Sequence, residues 1–105
     1  MSCSVDFIEY VCSQLSSVGE VRSRKMMGDY LIYIDEKPVI IACDNLCYVK
    51  KVPEIESLMV EAECGFPYPG AKEHYILDID HKKEAMMVVK ILRDVLPYPK
   101  QRKKK

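Results

Sequence analysis

Arg22-Ser-Arg-Lys-Met-Met-Gly-Asp-Tyr-Leu-Ile-Tyr-Ile-Asp-Glu-Lys-Pro-Val-Ile-Ile-Ala-Cys-Asp-Asn-Leu-Cys-Tyr-Val-Lys50 is the stretch that decides the fold. It reads as short strands separated by turns. Tyr30–Ile34 and Val39–Cys43 are almost wholly apolar, as strands are when a sheet is covered on at least one face. Glu20–Met26 is mixed in polarity and reads as a strand exposed on one side. Gly28-Asp29, Asp35-Glu36-Lys37-Pro38 and Asp44-Asn45 are turn signals, and Leu46–Lys50 closes the set. Connections this short cannot carry crossovers, so the four strands form an antiparallel meander.

Outward from this sheet the pattern turns helical. Ser4 is placed to cap a helix over Val5–Ser16, whose Val5, Ile8, Val11, Cys12 and Leu15 form one apolar stripe. Gly19 follows its end. Pro53 opens a short helix that runs to about Glu63, and a loop rich in Gly and Pro follows. His74–Ile79 alternates weakly and adds a fifth strand. Asp80 is the expected cap of a last helix, with Ala85, Val88, Val89, Leu92 and Leu96 on one stripe. Met86, Met87, Ile91 and Val95 widen that stripe, which suggests cover by a second chain as well as by the sheet.

The bulk composition agrees with one such domain. The chain has 105 residues, 49% hydrophobic and 30% charged, enough for a single core without metal or disulfide staples. Of the 16 basic side chains five lie in Lys100–Lys105, so the formally neutral chain divides into an acidic body and a basic tail. The expected organisation is a single domain over residues 1–99 and a disordered tail over 100–105. An acidic body is a poor dedicated nucleic-acid surface, although Arg22, Arg24, Lys25 and the tail remain candidate contacts. The five cysteines, an odd number with no charged leader ahead of them, point to free thiols in the cytoplasm. No apolar run approaches the roughly 20 residues that span a bilayer.

Chemistry-bearing residues are sparse. Cys43 and Cys47 form a loose C-x3-C pair, with Cys64, His74 and His81 as further donors. A structural zinc site needs four convergent ligands, usually from two tight pairs, so buried free cysteines are the better reading. No imidazole or helix N-terminus is placed beside a thiol to activate it. Neither catalytic residues, a metal nor a cofactor is expected. Tyr30 and Tyr33 have opposite parity in one strand, which breaks up an aromatic base-stacking platform. Arg24 suits a structural ion pair or a carbonyl clamp, and on that reading Arg24→Ala lowers the melting temperature.

Arg24-Lys25-Met26-Met27-Gly28, Tyr30-Leu31-Ile32-Tyr33 and Asp44-Asn45-Leu46-Cys47-Tyr48-Val49-Lys50 together resemble the N-terminal domain of the TfoX/Sxy competence regulators. The family shows an Arg-x-Met-Phe-Gly-like turn, a hairpin strand of aromatic and apolar residues, and a Leu-Tyr-Leu-Lys/Arg strand in this order. Phe66-Pro67-Tyr68 and His74–Ile79 fall where the family has an aromatic loop and a further strand. Met27 departs from the pattern, standing where the aromatic is usual. The resemblance implies an α+β domain in which an antiparallel four- to five-stranded meander sheet is flanked by N-terminal and C-terminal helices. That arrangement is similar to the type III secretion chaperone-like fold. It also implies a non-catalytic regulatory or protein-interaction role in competence or transcription, with Arg24, Met26 and Gly28 as a structural motif. Longer regulators continue into a second helical domain, so this chain reads as a stand-alone N-terminal domain. The partner would be a protein, a second copy of the chain included.

Overall fold

The computed structural model describes residues 3–26 and 29–97. Over these residues it is an α+β fold with six antiparallel strands. In chain order the elements are helix α1 (Val5–Gln14), strands β1 (Val21–Met26), β2 (Asp29–Ile34), β3 (Lys37–Cys43) and β4 (Leu46–Val49), a 3-10 helix over Pro53–Met59, the two-residue β5 (Cys64–Gly65), β6 (His74–Leu77) and helix α2 (Lys82–Val95). The strand order is β1-β2-β3-β4-β6-β5. The meander therefore holds through β4, and β6 then pairs β4 with β5 on its outer side.

The turns follow from local chemistry. Ile34 faces Lys37 and Cys43 faces Leu46, leaving two-residue loops. Asp35, Glu36, Asp44 and Asn45 all have positive φ, as type I′ hairpins require at both central positions. The strand therefore begins at Lys37, earlier than a Pro38-containing turn suggests. Pro38 is accommodated because the register shifts beside it: Ile32 faces Ile40 while Tyr33 faces Pro38, so Val39 is the extra residue of a bulge. Glu36, at φ 73, is the one loop residue with no intrinsic taste for this conformation. Glu36→Gly should raise stability by about 0.5–1 kcal/mol, since the exposed Arg22–Glu36 pair that it removes contributes little. Chemical denaturation checks this, and a fall in stability would show that the ion pair matters more than the strain.

Both helices lie on one side of the sheet. Ile8, Val11 and Leu15 of α1 and Ala85, Val88, Val89 and Leu92 of α2 join Ile32, Ile34, Ile40, Ala42, Cys47, Val49 and Leu77 in a single core. The α1 boundaries depend on its caps. Ser4 Oγ accepts from the Phe7 backbone N–H at 3.1 Å, as expected of an N-cap. Pro53–Met59 is 3-10 rather than α-helical, and it buries only Ile55 and Met59. Asp80 does not cap α2: its carboxylate accepts the Tyr10 hydroxyl at 2.6 Å, and His81 holds the cap position without a side-chain bond. Most of the apolar stripe of α2 packs inside the chain, Met86 and Ile91 included, while Met87 and Val95 stay exposed.

Candidate interaction surface

Register places a second apolar surface on the side of the sheet away from the helices. Arg24 faces Leu31, Leu31 faces Ile41, Ile41 faces Tyr48 and Tyr48 faces Ile76. The Ile76 N–H donates to the Glu63 carbonyl at 2.8 Å, so Glu63 completes the row. Directly opposed residues share a face, and this one alternates with the face of Ile32, Ile40, Cys47 and Leu77. None of Leu31, Ile41, Tyr48 or Ile76 belongs to the helix-covered core or packs against it. Tyr48 is 8% exposed, and Leu31, Ile41 and Ile76 beside it are half-buried. Gly65 lies against this surface, where an added Cβ would sit 3.2 Å from the Tyr48 ring.

The basic residues of the first strand fall at the border of this surface. Arg22, Arg24, Lys25 and Met26 are all exposed on β1, the sheet edge. Arg22 pairs with Glu36 at 2.9 Å. Arg24 has no ion pair or hydrogen bond among the described residues, because the strand is an edge and its outer face carries no helix. Gly28 and Met27 of the turn motif, and the basic tail at 100–105, lie outside the described residues.

The clamp anticipated for Arg24 is made by Arg93, which sequence spacing does not single out. Its guanidinium donates to the Val18 carbonyl at 2.7 Å, approaches Asp35 at 3.6 Å and pairs with Asp94 at 3.1 Å. Asp35 in turn accepts from the Glu20 N–H at 2.9 Å, and Lys37 Nζ donates to the Arg93 carbonyl at 2.7 Å. The loop after α1, the β2–β3 turn and the end of α2 are tied together by this one side chain.

The cysteines separate rather than converge. Cys47 faces Ala42 on the covered side, while Cys43 faces Leu46 on the other. Burial pushes the Cys47 thiol up to about 12, and burial with a bond to Asp29 pushes Cys43 up to about 11. Both shifts run against thiolate chemistry, which needs a lowered value. Cys64 is exposed on β5, and His74 is buried with Nδ1 donating to the Lys72 carbonyl at 2.7 Å. Among the described residues no cluster of His, Cys, Asp and Glu has the arrangement to hold a metal ion.

A cleft of about 830 Å³ opens on the helix side between α1, the β3–β4 turn and the start of α2. Phe7, Leu58 and Met59 give it apolar walls, and Asp78, Asp80 and Glu84 give it acidic ones. Two pairs of its polar groups are already bonded: Tyr10 donates to Asp80, and the His81 ring meets Asp78 at 2.7 Å. The Asp78 carboxylate raises His81 above its ordinary value. The pair therefore favours the fold below about pH 6.5 and loses that contribution as pH rises through the raised folded value. In a titration followed by NMR, Asp78→Asn should return the His81 midpoint towards about 6.5. An unchanged midpoint would reject the pairing.

Comparison with known proteins agrees with this architecture. The family model described as the TfoX N-terminal domain matches residues 13–89. An uncharacterized 12.7 kDa protein in the trpE 5′ region of Spirochaeta aurantia is 31% identical over 107 residues, covering 100% of this chain and 93% of the relative. Among the described residues no helix is long and apolar enough to cross a membrane.

Proposed function

This chain belongs to the TfoX N-terminal domain family, and from that premise we propose that it is a non-catalytic regulatory module acting through protein contacts in the cytoplasm. The observation that carries the reading is the row Leu31–Ile41–Tyr48–Ile76, an apolar surface set apart from the core. Contiguous apolar surface outside a core marks interaction sites in soluble proteins. The raised thiols of Cys43 and Cys47 support the non-catalytic part, since neither is a competent nucleophile near neutral pH. A role in competence or transcription is the family-level form of the same proposal. Capture of bound proteins from the native cell with wild-type and Ile41→Glu chains tests it. Ile41→Glu should lose the partners while keeping the wild-type circular dichroism spectrum. Retention of every partner by a folded variant would refute the role of this surface.

A second reading rests on the cluster of exposed cations on β1. Arg22, Arg24 and Lys25, with the tail at 100–105, would contact a nucleic-acid backbone without reading sequence. Fluorescence anisotropy with duplex and single-stranded DNA at low salt decides it. Electrostatic binding is strongest there, so its absence at low salt eliminates the reading.

A further inference from the structure

We propose that the occupant of the open sheet face is a second copy of this chain, stacked face to face about a two-fold axis parallel to the strands. The proposal rests on reading that face as an interaction surface, and it names the partner. Its argument is the order of residues across the sheet. The row runs Arg24, Leu31, Ile41, Tyr48, Ile76, Glu63, with a cation at one end, an anion at the other and four apolar residues between. Strands are spaced about 4.8 Å apart, so the two charges stand about 24 Å apart.

A two-fold axis in the plane of the interface and parallel to the strands reverses the row. Arg24 of each copy then meets Glu63 of the other, Leu31 meets Ile76, and Ile41 meets Tyr48. One residue set thus serves both copies, as an isologous interface requires. Both charged ends are exposed, and neither has an ion-pair or hydrogen-bond partner for its side chain among the described residues. The other simple assembly, β1 paired edge to edge with its own copy, would bring Arg22, Arg24 and Lys25 of two chains together and is opposed by like charge. A row about 24 Å long, with the side chains beside it, covers roughly 400–500 Å² per copy. That lies at the low end for specific association, so the dimer forms in a concentration-dependent manner.

Sedimentation velocity over roughly 1–500 µM, the range where so small an interface dissociates, tests the assignment. The wild-type chain should pass from monomer to dimer. Arg24→Glu alone and Glu63→Arg alone should each weaken association by about tenfold or more, because each places like charges at both ends. Mixing these two variants should restore association to within about threefold of wild type. In the mixed dimer both ends of the row again pair a cation with an anion, which neither variant achieves with itself. Circular dichroism confirms that each variant is folded. A wild-type chain that stays monomeric throughout overturns the dimer and leaves the interaction reading to the capture experiment. A wild-type dimer whose association neither swap weakens, or whose mixed variants remain monomeric, overturns the row as its interface.

Discussion

Ile32→Ala should cost the fold about 2–5 kcal/mol, whereas Leu31→Ala, one residue away, should cost about 1 kcal/mol or less. The contrast follows from the two-residue period of a strand. Ile32 is fully buried against the core that both helices complete, so truncation leaves a cavity in packed surroundings. Leu31 points the other way into the open row, where solvent fills the space that a smaller side chain leaves. Denaturant titration of dilute samples of both variants reads the difference. Equal losses would mean that the open face is packed as tightly as the covered one.

Arg93→Ala is the second large effect, at about 2–3 kcal/mol, or roughly 10–20 °C in melting temperature. Thermal and denaturant unfolding of the variant read it, and a melting temperature within about 2 °C of wild type would reject the clamp. The Arg93 side chain is only 23% exposed, and removing it leaves the Val18 carbonyl and the Asp35 carboxylate without their cation. Arg93→Lys should recover only part of the loss, because an ammonium cannot span the carbonyl and two carboxylates as a planar fork does. Gly19 is bound into the same arrangement. A Cβ there would lie 2.7 Å from the Asp35 carboxylate, so any side chain would displace the acceptor of the Glu20 N–H. By contrast Arg24→Ala, on an exposed edge, should change thermal stability by less than about 0.5 kcal/mol.

The sheet is legible in the sequence wherever local chemistry decides it. Asp35-Glu36 and Asp44-Asn45 mark their hairpins, and the apolar runs beside them form β2, β3 and β4. Cys64–Gly65 is a strand only because His74–Leu77 runs beside it, and two residues leave no periodic signal. Asp80 looks like a helix cap until a tyrosine 70 residues away takes its carboxylate. The clamp falls on Arg93 rather than Arg24 for the same reason. Arg93 and Val18 are 75 residues apart, and nothing in their spacing joins them. The uncovered face is half legible: β2 is apolar at both parities, which betrays two apolar surfaces without saying which one the helices reach. The last helix, whose wide stripe suggests a second chain, spends most of that stripe on its own core and leaves Met87 and Val95 exposed.

The sheet has two apolar faces, one covered by the helices and one left open. Solvent paramagnetic relaxation of methyl groups in a dilute and a concentrated sample tests this arrangement most directly. In the dilute sample the methyls of Leu31, Ile41 and Ile76 should relax strongly while those of Ile32, Ile34 and Ile40 stay protected, and concentration should protect the first set alone. Equal protection of both sets at the lowest concentration would mean that both faces are covered within one chain.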